Sequence, residues 1–292
     1  MMKNVFLSAL SLLLLWHGST LAQEKNQSPF VEINVSKTIN QHWYSNMACG
    51  PAAVLMLYAN SPEGKKIFES LPGEGDREKL QKVIQTYGKV SSDSNPNAVR
   101  FNESSGINPD DLLQMAQEIQ GSAQVKIPLR GNYIIKRRDE NKGLMIERVH
   151  QMFKFSLERG VPVVINLLSF YLEMKLQERQ KGIFETTLQW QRLKSHFIVV
   201  TKIHRNLGEN DFGFFFEYID PNGGTINSGY LYAATSEPFN APLGIGNSTE
   251  TYNGDDFLRV IVPTLDTLGL DDIPEYSRAV ITLNHAIGRL DR

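Results

Sequence analysis

Cysteine is almost missing from this chain. One occurs in 292 residues, Cys49, so no internal disulfide can form and no Cys-rich zinc site can be assembled. An excess of either charge is missing as well. Lys and Arg number 30 against 32 Asp and Glu, a net charge of −2, which lacks the basic footprint of a nucleic-acid binder. There is no low-complexity tract and no internal repeat. No His-Glu-x-x-His or EF-hand pattern occurs, and neither a metal nor a cofactor is expected. What remains is an ordinary globular composition, 41% hydrophobic and 21% charged, long enough to bury a sizeable core.

Long apolar runs are confined to the N-terminus. Lys3 precedes an apolar stretch from Val5 to Trp16, followed by Gly18-Ser19-Thr20-Leu21-Ala22. A basic start, about a dozen apolar residues and a small-residue end describe a secretory signal peptide over 1–22 with a cut before Gln23. The run is short for a membrane span, which takes roughly 20 residues. The expected mature chain is therefore one domain over 23–292, secreted or periplasmic, with no stable membrane anchor. Cleavage removes one lysine and moves the net charge from −2 to −3. Oxidising compartments endanger a lone thiol, so an exported chain with a single cysteine needs a reason for it. That cysteine is either a small buried hydrophobe or a nucleophile.

The pattern along the chain separates helix from strand. Val31–Val35 alternates like an edge strand. Pro51 to Asn60 reads as a buried helix with Pro51 in its first turn, and Asp76–Tyr87 as another. Asn108-Pro109-Asp110-Asp111 opens a further helix running to Gly121, with Asn108 as N-cap and the two carboxylates at the positive helix end. Met145–Arg159 is helical and stops at Gly160. Val161–Leu168, His196–Ile203, Gly213–Ile219 and Phe257–Val262 read as strands. Residues 171–194 read as a charged helix and loop, and Ala279–Leu290 as a terminal helix. Helices first and strands second predict an α+β fold.

Three residues form a coherent chemical set. Cys49 stands just before Gly50-Pro51 and the apolar helix, where unpaired N–H groups and the helix dipole stabilise a thiolate. His196 starts a strand and can serve as base and then acid. Asp220 ends the next strand at an Asp-Pro-Asn-Gly turn, and a carboxylate on the far ring nitrogen would fix the imidazole. The loop Arg205–Asp211 is short enough for a hairpin that sets the two side by side. Gly50, with no side chain, would let a substrate carbonyl approach the helix end. The Cys49 N–H can supply one oxyanion donor. Residues 61–106, 125–143 and 171–194 are the expected walls of the cleft.

The runs Met47-Ala48-Cys49-Gly50-Pro51-Ala52-Ala53-Val54, Ser195-His196-Phe197-Ile198-Val199-Val200 and Tyr218-Ile219-Asp220-Pro221 resemble papain-like cysteine peptidases. The nearest branch is the bacteriocin-leader (double-glycine) peptidases and their secreted relatives. Asn108–Leu113 and Gly160–Val163 resemble that branch too. The likeness spans roughly residues 41–232. The interval from Cys49 to His196 falls in the range of about 130–150 residues seen in papain-type enzymes. The resemblance implies a papain-like fold, with a central helix from Cys49 in a helical first half and an antiparallel β-sheet in the second. It also implies Cys49 as nucleophile, His196 as base and Asp220 as orienter, acting on a peptide or protein substrate. The family places a glutamine five or six residues before the cysteine to complete the oxyanion hole. Here Trp43 and Tyr44 stand there. Gln41, eight residues before, is the preferred donor, with Asn46 as the alternative. The chain lacks the Cys-Gly-Ser-Cys-Trp run of the papain subfamily.

Three functions share this set. The first is a thiol hydrolase of peptide or amide bonds. The second is an acyl-transferase or glutamine deamidase using the same residues, and the third a non-catalytic binding module on the same scaffold. The sequence leaves the oligomeric state open. His42, His150, His204 and His285 have no evident partners and are expected on the surface or satisfied in the core. Asn253-Gly254-Asp255-Asp256 reads as a solvated loop, since its calcium-ligand spacing is incomplete. Sequons occur at Asn26, Asn34, Asn102 and Asn247.

Overall fold

In the computed structural model, Cys49–Ala59 form α1, and all eleven residues are buried. The run PAAVLMLYA carries no polar stripe, so this helix has no face to give to water. The structure describes residues 28–208, 211–234, 239–244, 250–263, 266–275 and 277–290. The expected signal peptide and the sequons at Asn26 and Asn247 lie outside them. Around α1 pack α2 (Gly64–Ser70), α3 (Asp76–Val83, continued by a π turn over Ile84–Gly88) and α4 (Pro109–Ala123). Asn108 caps α4 as its position implies, its Oδ1 accepting the Asp111 N–H at 2.9 Å. Asp111 is buried and accepts side-chain hydrogen bonds from Ser92, Ser94 and Asn108. The Tyr133 hydroxyl donates to Asp110 at 2.9 Å. Both carboxylates thus serve the helix start and its neighbouring loop. The longest helix, α5 (Lys142–Glu158), is capped by Asn141.

The strands are β1 (Phe30–Glu32), β2 (Phe101–Asn102), β3 (Gly106–Ile107), β4 (Arg130–Tyr133), β5 (Val163–Gln180), β6 (Ile183–His204), β7 (Gly213–Asp220), β8 (Thr225–Tyr232), β9 (Pro242–Gly244), β10 (Thr251–Asn253), β11 (Arg259–Ile261) and β12 (Ala279–Gly288). Every pairing is antiparallel. In the main sheet β6 pairs with β5, β5 with β12, β12 with β11, β11 with β8, β8 with β7, and β7 with β6 again. Those six strands close a ring, and closure removes the exposed edges an open sheet would carry. The short strands β1 and β4 extend β6 and β12. Alternate residues face opposite ways, as a strand requires. Val164, Phe197, Val199, Ile219 and Ile287 join the core around α1, while Ile165, Ile198, Val200 and Tyr218 join a second core that α5 helps to cover. The architecture is α+β, with a helical first half and a mainly β second half.

Two expectations are overturned. Residues 171–194 form the outer part of a long β5–β6 hairpin in place of a helix and loop. The run alternates Leu172, Met174 and Leu176 with Glu173, Lys175 and Gln177. That is a period of two, which the charge content obscured. Ala279–Gly288 is a central strand and not a terminal helix. Val280-Ile281-Thr282-Leu283 is β-branched at three of four positions, and pairing on both sides decides in favour of strand. Asp255 and Asp256 are held by protein partners: Asp255 Oδ1 accepts the Phe239 N–H, and Asp256 pairs with Lys136 at 2.8 Å. Among the described residues no helix is long and apolar enough to cross a membrane.

Candidate active site

Cys49 is the first residue of α1. Pro51 has no N–H to leave unpaired in that first turn, and the Cys49 N–H finds no acceptor among the described residues. His196 and the backbone N–H groups of Phe197 and Gly50 lie close enough to the sulfur to favour its anion. Gly50 has a different function from the one expected. A Cβ there would lie 2.5 Å from Ile107 Cγ2 and 3.3 Å from Leu112 Cδ1, so the missing side chain serves close packing of α1 against β3 and α4. Gly50→Ala is expected to lower unfolding stability by about 1–3 kcal/mol through overpacking, as urea denaturation would measure.

His196 and Asp220 come from adjacent strands. Val199 pairs with Ile219, and continuing that register sets Asp220 opposite Ile198. His196 is two residues along on the same face. The diagonal is bridged by an Nε2–H donated to Asp220 Oδ1 at 2.7 Å, with both side chains buried. The same oxygen accepts the Asn222 N–H at 2.8 Å. The turn chemistry of Asp-Pro-Asn-Gly therefore holds the carboxylate at the angle from which it holds the ring. With Nε2 engaged, Nδ1 is the ring nitrogen left for the sulfur.

Electrostatics follow from these contacts. Burial pushes the Cys49 thiol up, but the His196 hydrogen bond and charge, with the two backbone N–H groups, outweigh it and lower its pKa. Burial likewise pushes His196 down, while hydrogen bonds and charge from Asp220 and Cys49 raise it to about 10. Each shift feeds the other, so the two titrate as a pair. Both shifts favour the thiolate–imidazolium form of the pair.

Gln41 lines the same cavity as Cys49 and His196. Residues 41–43 form a 3₁₀ turn capped by Asn40, and further turns compact the segment before Cys49. The Gln41 backbone N–H donates to Pro221 O at 2.9 Å, tying it to the turn that carries Asp220. Its side chain is buried and Nε2 donates to Asn46 O at 2.7 Å. One hydrogen of that amide remains unassigned to protein. The Asn46 side chain is turned to His42 instead, with Oδ1 2.8 Å from Nδ1. His42 Nε2 lies 2.6 Å from Asn222 Oδ1. His42 is exposed, as expected, and links the segment before Cys49 to the turn after Asp220. The other three histidines are held in or against the core. His150 Nε2 is 2.7 Å from His204 O, His204 stacks on Phe30, and His285 packs edge-on against Tyr133.

A cavity of about 560 Å³ opens on Cys49 and His196. Gln41, Asn46 and Asn222 line it on one side, Ser104–Ile107 on another, and Arg192–Ser195 on a third. Of the three expected walls, 61–106 and 171–194 contribute and 125–143 does not. Strand β4, inside that last stretch, is instead paired to β12. His42, Asn222 and Arg192 were missed as site residues. The Asp-Pro-Asn-Gly turn pointed to Asn222, whereas nothing local marks His42 or Arg192. No family model, curated protein or solved structure matches the chain.

Proposed function

We propose that the chain is an exported thiol hydrolase with a papain-like fold, which cleaves a peptide or amide bond through a thioester on Cys49. The observation that carries this reading is the continuous set Cys49–His196–Asp220 at a helix start, opening on a cavity. The junction of a buried helix with a closed antiparallel barrel, and the chain order of the three residues, support it. The thiolate attacks the carbonyl carbon, forming a C–S bond and moving an electron pair onto the oxygen. The Cys49 N–H and the free Gln41 amide hydrogen stand ready to meet that oxyanion. Collapse expels the amine, which takes a proton from the His196 imidazolium. Neutral His196 then draws a proton from water as it attacks the thioester, and the acid leaves with regeneration of the ion pair. Asp220 holds the ring in one orientation throughout.

Alkylation by iodoacetamide tests the reading at its first step. Cys49 is expected to react at pH 5–6 at a rate well above that of a simple thiol, whose ordinary pKa is about 8.5. A rate rising only through pH 8–9 would overturn the activated thiolate.

A further inference from the structure

The Arg192 side chain makes no hydrogen bond or ion pair among the described residues, although it stands in the wall of the catalytic cavity. It lines a second cavity as well, of about 500 Å³. That cavity is walled by Leu168, Phe170, Leu172, Leu188 and Trp190. Arg192 faces solvent, yet enough protein surrounds it to lower its pKa by desolvation. Among the described residues, none that lines the catalytic cavity is acidic. Lys194, in the same wall, has Asp272 at 3.6 Å. A β-bulge in β6 between Arg192 and Ser195 shapes this wall, and bulges re-aim side chains beside sites. Beyond it the hairpin continues one apolar face, where Met174 pairs with Leu188. Both of these side chains are exposed.

We infer that the substrate is an acidic polypeptide segment whose carboxylate pairs with Arg192 while a neighbouring apolar side chain fills the second cavity. The inference rests on the thiol-hydrolase reading for the position of the reacting bond. A single planar guanidinium fits one carboxylate through two parallel hydrogen bonds. The adjoining apolar walls supply the burial that a lone ion pair lacks. The acid is either a Glu or Asp side chain or a chain-terminal carboxylate.

The test uses tetrapeptidyl chloromethyl ketones with Glu, Gln or Lys at each of four positions, followed as alkylation of Cys49 by intact mass. At one position Glu is expected to react at least tenfold faster than Gln, and Lys slower than either. Arg192→Gln should bring Glu and Gln within twofold of each other. Removing an equal charge at the hairpin tip, Lys181→Gln, should leave the preference in place. Iodoacetamide should react equally with all three proteins, which shows that the thiol itself is untouched. Equal Glu and Gln rates at every position, or a preference that survives in Arg192→Gln, overturns the inference. If iodoacetamide finds no activated thiol, the catalytic reading fails separately. Binding to Cys49→Ala then decides, with peptides free of the electrophile followed by tryptophan fluorescence. Glu peptides should bind at least tenfold tighter than Gln peptides, and Arg192→Gln should abolish the difference. Comparing C-terminal acids with C-terminal amides in that binding arm tells a side-chain from a terminal carboxylate. No difference in any pair overturns the inference there too.

Discussion

Cys49→Ser should remain folded and lose at least about 10⁴-fold in turnover, the scale on which removing a nucleophile acts. The two side chains are nearly the same size, and Cys49 is buried at the start of a helix that packs as before. The chemistry is what differs. His196, Phe197 N–H and Gly50 N–H together lower a thiol pKa that begins near the physiological range, whereas an alcohol begins far above it. The site stabilises a ready-made anion and is not built to take a proton from a hydroxyl during attack. Turnover of a cleavable peptide, measured beside circular dichroism and the unfolding midpoint, checks this. Full turnover in Cys49→Ser, or in the accompanying Cys49→Ala, would remove the nucleophile from the scheme.

His196→Ala should damage both chemistry and stability. Loss of the base and acid lowers turnover by roughly 10²–10⁴-fold. Without the imidazolium, burial again dominates at Cys49, and low-pH alkylation should disappear. Asp220 would be left buried with its Asn222 N–H contact alone. Breaking a buried pair on one side costs about 3–5 kcal/mol. The pH dependence has a definite sign. The folded pKa of His196 is raised from 6.5 to about 10. Its contribution is therefore complete below pH 6.5 and declines as pH rises toward 10. The stability gap between wild type and His196→Ala should be widest on the acid side of that window and narrow above it. Urea melts at pH 6, 8 and 10 measure the gap, and a gap that widens with pH would contradict the ion pair.

Much of the site is written locally in the sequence. A helix start is a local event, so Cys49 before Gly50-Pro51 and an apolar run announces both the helix and its chemistry. Asn108 and Asn141 cap the helices that follow them for the same reason. An Asp-Pro-Asn-Gly turn is also local, and it orients Asp220 whether or not a histidine is near. A hairpin of short loop length brings His196 within reach of that turn. These features depend on neighbours within a few residues, which is the range over which caps, turns and two-residue periodicity operate.

What depends on distant partners was not legible. Residues 171–194 and 279–290 have composition compatible with helix, and only pairing of β12 with β5, β4 and β11 settles them as strands. Gly50 looked like an opening for substrate until Ile107 and Leu112 were seen against it. Gln41 was the amide the sequence preferred, but the turns that carry it to the cavity were not evident there. His42 acquires a function only because Asn222 lies 2.6 Å away across 180 residues of chain. By itself the sequence determined the α+β class and the ordered cysteine, histidine and aspartate. Tertiary structure alone decided that the sheet closes and that Arg192 stands in the cavity wall without a counter-ion among the described residues. Closure and charge pairing are relations between segments far apart in the chain, and no local pattern of residues encodes them.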